Sequence, residues 1–323
     1  MRVSAPIPRR RLLTAGGLAA ALAAPSVARA DTPRRWRMVT SWPRNLAGPG
    51  ISAGRLAERI TRMSGGRLEI EAFAAGEIVP ALSTFDAVSS GVAEMAHTAS
   101  FYWIGKLPAS IFFTTAPFGL GPLEHQAWIA NGGQALWDEL YAPFGLKAYL
   151  AGNTGPSMGG WFRSEIKGLA DLKGLRIRVL GIGAEVYARL GATPVTLAPG
   201  DLEPALERGA IDAAELLAPV NDVSLELDRQ AKFYYAPGFN KPNGAAEALL
   251  SRKAFEALPE DLRDVVRNAC EAEHSAGLAD AEAGNAAAIE TLSRQGVRVF
   301  LFPADVMTAA RGAAADVILS LIH

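Results

Sequence analysis

The chain has 323 residues, 50% hydrophobic and 20% charged, with a formal net charge of −1. This composition excludes a disordered chain and leaves length for two domains, each with its own core. The basic residues are scattered rather than striped, which argues against a nucleic-acid partner. A lone Cys270 excludes an intrachain disulfide and reads as a buried thiol in a helix, and His97, His125, His274 and His323 show no zinc spacing.

Residues 1–30 contain Arg2, Arg9, Arg10, Arg11 and Arg29 but no acid, then an apolar run from Leu12 to Ala24 and "ARA" before Asp31. A basic start, a short apolar segment and a small-x-small site make a secretory signal, and "PRRRLLTAGG" has the twin-arginine form. A membrane anchor would need about 20 continuous apolar residues, and Pro25 and Arg29 cut this run short. The expectation is export to the periplasm, with cleavage before Asp31. Loss of the five arginines makes the remaining chain more acidic.

From residue 36 the order is strand, helix, strand: "WRMVTSW" (36–42), "GISAGRLAERITRMSGG" (50–66) and "RLEIEAF" (67–73). That is a βαβ unit and implies a parallel sheet. The order returns in "GLRIRVL" (174–180), "GIGAEVYARLG" (181–191) and "ATPVTL" (192–197). "AVSSGVAEMAH" (87–97) also matches "ALERGAIDAAE" (205–215), aligning Gly91 with Gly209, Glu94 with Asp212 and His97 with Glu215. The fold class is therefore α/β, with two similar lobes and a ligand cleft between them, where loops leave the carboxyl ends of the strands. "HTASFYW" (97–103) would supply one wall of that cleft. Phe101, Tyr102 and Trp103 are candidate stacking groups, with core packing the alternative for two of the three.

Within "GAIDAAELLAPVND" (209–222), Glu215 interrupts a buried strand-like run. Either the carboxylate is buried and has a cation or hydrogen-bond partner, or it is an exposed acid at a strand end. Strand alternation places Arg176 and Arg178 on one side and Ile177 and Val179 on the other. Arg178, nearer the carboxyl end, can enter the cleft and grip a carboxylate through two parallel hydrogen bonds; a solvated edge arginine is the alternative. "GIGAE" lacks the third glycine and the later acid of a dinucleotide fingerprint, so that reading is rejected. Glu247 in "NGAAEALLS" (243–251) is a second acid inside a small apolar run. Glu215, Glu247, Ser157 and a backbone carbonyl are the oxygens on offer to a hard cation; two unrelated surface acids are the competing explanation.

"MVTSWPRN", "LAERI", "AAGEIVPALSTFDAVSSGVAEM", "FFTTAPFGL", "LWDELYAPFGLKAYLAGNTG", "MGGWFRSEI", "DLKGLRIRVLGIGAEV" and "FYYAPGF" follow one another in register from about residue 36 to about residue 300. In this the chain resembles the extracytoplasmic solute receptors of tripartite ATP-independent periplasmic (TRAP) transporters, and among them the 2-oxo acid and lactate-type receptors. The resemblance implies a two-lobed periplasmic binding protein without catalytic activity. It would close on a small monocarboxylate, a 2-oxo or 2-hydroxy acid, and deliver it to the transporter's membrane subunits.

The resemblance also implies a ligand site of Arg178, Ser157, Glu215, Asn153, Phe101 and Tyr102. A sodium or calcium ion would sit beside the ligand on Glu215, the backbone of Leu216, and Glu247. Three departures from the family pattern stand out. Ser157 replaces an amide. Leu216 and Val220 replace tryptophans, which predicts a roomier pocket for an acid bulkier than pyruvate. The chain stops at "AAADVILSLIH" with a bare apolar end where relatives add helices, which puts dimerisation by helix exchange in doubt and favours a monomer. The expected limits are 1–30 for the signal, 31–151 for lobe one, 152–242 for lobe two, and 243–323 for a return to lobe one with shortened C-terminal helices. The rival functions are a ligand sensor that docks on a receptor kinase and a metal-dependent enzyme acting on carboxylates.

Overall fold

The first βαβ unit forms where the apolar periodicity puts it. Strand β1 (Arg34–Thr40) leads to helix α1 (Pro49–Met63) and a parallel strand β2 (Leu68–Phe73). Helix α1 starts on a proline and buries Ala53, Leu56, Ala57 and Ile60, one stripe at helical spacing. Helix α2 (Thr84–Ser89) then feeds β3 (Met95–Thr98), parallel to β1 on its other side. Helices α3 (Pro122–Trp128) and α4 (Gln134–Tyr141) precede β4 (Leu146–Asn153). The computed structural model describes residues 32–321, so the expected signal segment lies outside the described residues.

After β4 the chain crosses to a second sheet. This contains β5 (Gly160–Phe162), β6 (Arg176–Arg178), helix α5 (Ile182–Arg189), β7 (Thr193–Val195), helix α6 (Leu202–Glu207) and β8 (Ala213–Ala214). Helix α7 (Pro219–Asp222) and β9 (Phe233–Ala236) follow. Strand β10 (Ala245–Ser251) returns to the first sheet, ahead of helices α8 (Arg252–Glu256) and α9 (Glu260–Arg294), strand β11 (Arg298–Leu301) and helix α10 (Ala304–Ser320). The sheet orders are β2-β1-β3-β10-β4 and β11-β9-β5-β8-β6-β7.

These orders carry the expected internal echo. Strands β6, β7 and β8 repeat β1, β2 and β3 in sequence and direction, and each set is closed by an antiparallel neighbour, β5 or β10. The aligned acids do the same work: Glu94 accepts from the Arg37 backbone N–H, and Asp212 from that of Arg176. Each sheet is covered on both faces. Trp36 and Met38 of β1 face one apolar cluster and Val39 another, while Ile177 and Val179 face a different cluster from Ala214 and Trp161.

Residues 243–323 divide between the sheets instead of returning whole to the first. Strand β11 pairs with β9, and α10 buries Val306, Ala310, Ala314 and Val317 in the core of the second lobe. The apolar stripe expected to be bare is thus largely covered, because α10 lies on α5. Helix α9, roughly 50 Å long at the usual rise per residue, seats Leu262, Val266 and Cys270 in the first lobe and Leu292 in the second. Two glycines let it pack closely. A Cβ at Gly277 would stand 2.9 Å from the Asn153 nitrogen, and one at Gly284 would stand 2.6 Å from Val220 Cγ2. No helix among the described residues is long and apolar enough to cross a membrane.

Candidate ligand site

The carboxyl ends of β1, β3, β6 and β8 meet around a small cavity of ≈ 30 Å³ lined by Trp42, Phe101, Tyr102, Arg178, Leu216 and Lys241. A larger depression of ≈ 450 Å³ lies beside the edge strand β4, near Lys147, Tyr149 and Arg267. It is away from the strand ends, and His274 on it bonds the Gly152 carbonyl through Nδ1. The chemistry is in the smaller cavity.

Arg178 is the last residue of β6 and is 1% exposed. Its Nε donates to the Leu197 carbonyl at 3.0 Å and its Nη1 to the Glu215 carbonyl at 2.7 Å. A guanidinium has five N–H donors; these two carbonyls take two, and the Tyr102 hydroxyl is close enough to take a third. Burial pushes its pKa down, opposed by Tyr102, Glu215 and Asp222. It remains a cation with donors to spare, aimed at a cavity.

Glu215 is 1% exposed, so of its two readings the buried, partnered acid holds. Asn240 Nδ2 donates to Oε2 at 2.9 Å, and Lys241 Nζ pairs with Oε1 at 2.8 Å. The same ammonium bonds the Leu216 carbonyl, and it lies 5.9 Å from the centre of the Phe101 ring. Asp222 sits behind, held by Trp161 Nε1, the Tyr234 hydroxyl and the Leu217 N–H, and burial raises its pKa to about 6.

The cavity gathers Arg178, Phe101, Tyr102 and Leu216 from the expected set, with Glu215 bonded to its wall residue Lys241. Burial raises the Tyr102 phenol to about 12, so it is a neutral hydroxyl beside the guanidinium. Trp103 packs away from the cavity, in the core with Phe85. Three expected residues are elsewhere.

Glu247 does not meet Glu215. Its carboxylate accepts from Trp103 Nε1 at 3.0 Å and from the Tyr141 hydroxyl at 3.1 Å. The physical reason is strand parity: Glu247 shares a face of β10 with Leu249, over the cluster that contains Trp103 and Tyr141. Asn153 is spent on the crossover, accepting from the Gly155 N–H and donating to Asn243. Ser157 donates its hydroxyl to the Lys241 carbonyl at 3.0 Å, so it positions that lysine and does not reach the cavity. Val220 packs on Gly284 of α9 rather than lining the cavity. The pocket is accordingly small, not the roomier one that Leu216 and Val220 led us to expect.

Sequence reasoning missed Lys241, Asn240 and Trp42. The available signal for Lys241 was that it is the sole cation between Lys232 and Arg252, set in the turn-rich "PGFNKPNG". Trp42 is oriented by His97, whose Nδ1 accepts from the indole at 2.8 Å while Nε2–H donates to the Ala151 carbonyl. Burial lowers the His97 pKa and keeps that ring neutral.

Two α/β lobes closing strand ends on a buried cation define a solute-binding protein. Residues 47–322 match the family model for bacterial extracellular solute-binding protein, family 7 (DctP), and the chain belongs to that family. It is 41% identical over 284 residues to the monocarboxylate 2-oxoacid-binding periplasmic protein of Nostoc sp., covering 88% of this chain and 78% of the relative. Among solved structures it is similar to a TRAP transporter solute binding protein from Bordetella bronchiseptica with calcium and picolinate. That match has 40% identity and a TM-score of 0.88, over 90% of this chain and 87% of the other. It is also similar to a TRAP periplasmic solute binding protein from Pseudoalteromonas atlantica with sodium and pyruvate. Here the identity is 35% and the TM-score 0.86, over 90% and 88% of the two chains. The family consists of receptors, not enzymes, and membership places this chain in the periplasm as the receptor of a TRAP transporter.

Proposed function

We propose that this receptor captures a small 2-oxo or 2-hydroxy monocarboxylate of about pyruvate size and hands it to the membrane subunits of its transporter. It reaches the periplasm by the twin-arginine route, with residues 1–30 removed. The observation that carries the ligand class is Arg178, fully buried yet with unspent donors at a cavity of ≈ 30 Å³. A guanidinium so placed takes one carboxylate through two parallel hydrogen bonds. The small volume and the Trp42, Phe101 and Tyr102 walls favour a short acid. The 2-oxo acid relative and the pyruvate-bound neighbour support the same class.

Removing one partner of a buried charge pair typically costs about 3–5 kcal/mol, so Arg178→Ala weakens pyruvate binding by at least about a hundredfold. Calorimetry with pyruvate, lactate and longer 2-oxo acids tests this. Parental affinity in Arg178→Ala, or no uptake of any of these acids by the parent protein, would overturn the reading.

A further inference from the structure

We infer that the Lys241 ammonium takes the place of the metal ion in this receptor, so that the ligand is bound by two protein cations without calcium or sodium. The inference rests on the carboxylate reading above for its ligand, but not for its metal. Calcium in one neighbour and sodium in another accompany the bound carboxylate. The oxygens through which this chain could hold such an ion were expected to be Glu215, Leu216 O, Ser157 and Glu247. Only the first two come together, and Lys241 Nζ stands on both.

The other donors are committed. The second Glu215 oxygen receives the Asn240 amide, Ser157 donates to the Lys241 backbone, and Glu247 is bonded to Trp103 and Tyr141 on the far face of β10. Among the described residues no group of three or more His, Cys, Asp or Glu side chains could hold a metal. Hard cations of this kind want six or more oxygens for calcium, and a resident ammonium repels them at contact distance.

The charge count is compatible with the exchange: the ammonium carries the single positive charge that a sodium ion would, beside Arg178 and the carboxylates of Glu215 and Asp222. An ammonium has three N–H donors. Two go to Glu215 Oε1 and Leu216 O, and the third is left for the oxygen next to the ligand's carboxylate. Lys241 and Arg178 line the same cavity, so both can act on one small acid. Lys241 would therefore select for the 2-oxo or 2-hydroxy group.

The test uses the whole mature protein. Titrated with calcium alone, the parent shows no saturable uptake. Titrated with pyruvate in EDTA and sodium-free buffer, it binds with an affinity within about twofold of that in millimolar calcium or sodium. A single calcium taken up by the parent and lost in Glu215→Gln would overturn the inference, as would pyruvate affinity that rises about tenfold or more with either ion. Lys241→Glu, which exchanges the ammonium for a second carboxylate beside Glu215, gains calcium uptake. A folded Lys241→Glu protein that still ignores calcium counts against the ammonium as the excluding group. Should the parent bind no 2-oxo acid at all, the ligand reading fails, while the calcium titration still decides the metal question.

Discussion

Glu247 shows what a single buried acid does when it has donors but no cation. Burial raises its pKa to about 7 against the bonds from Trp103 and Tyr141. The folded protein therefore holds a proton that the unfolded chain releases above its ordinary carboxylate value near 4.5. Native stability is unaffected by this group below that value and falls as pH rises through 7. Glu247→Gln is expected to stabilise the protein by about 2 kcal/mol at pH 8 and to change little at pH 5. Denaturant unfolding at the two pH values checks the sign, and equal effects at both would refute it. Pyruvate affinity should not move. Arg176, 44% exposed and paired with Asp212 through two hydrogen bonds, forms a surface pair that solvent screens, so Arg176→Ala leaves binding unchanged in calorimetry. Arg178 and Glu215 stood out as charges among apolar strand neighbours, but the choice between cleft and surface came from the family resemblance. The role of Glu247 was not legible, because "GAAEALL" is small and apolar at nearly every position and offers no pattern to tell its two faces apart. A register irregularity between Ala245 and Glu247 hides the parity further.

At the scale of elements, the βαβ units were readable within a few residues at each end, since their helices carry apolar stripes and stop at glycine. Strands β5 and β8 were harder, being only three and two residues long; their pairing is decided by Trp161 against Ala214 and Phe162 against Ala213 across the sheet. The turn between β9 and β10 was opaque. Its lysine reaches Glu215 only because the chain folds back from one sheet toward the other, and nothing local in "FNKPN" encodes that approach. Ser157 holds this turn from outside through both its N–H and its hydroxyl, each on the Lys241 carbonyl. Ser157→Ala removes the second of these bonds, worth about 1 kcal/mol, and should weaken pyruvate binding by roughly fivefold through the misplaced ammonium. Ser157→Thr, keeping the hydroxyl, should retain most of the affinity; equal losses in both would tie the effect to packing instead.

The two-lobed shape of the whole molecule could be inferred from the doubled strand order, but the path of the C-terminal third could not. It depends on how a 35-residue helix is long enough to leave one core and enter the other. Its close seat on α7 uses Gly284, where a side chain would stand 2.6 Å from Val220 Cγ2. Gly284→Ala should push α7 outward, favour the separated lobes and weaken pyruvate binding by roughly tenfold, with every cavity residue intact. Unchanged affinity by calorimetry would show that the seat and the site are independent. Helix α9 also works as a lever. With Leu262 and Val266 seated in one core and Leu292 in the other, a change of angle between the lobes must be transmitted along it to the far side of the protein. Loading that changes the angle between the lobes would therefore alter the outline of the back as well as the mouth of the cleft, on a face the cargo never touches.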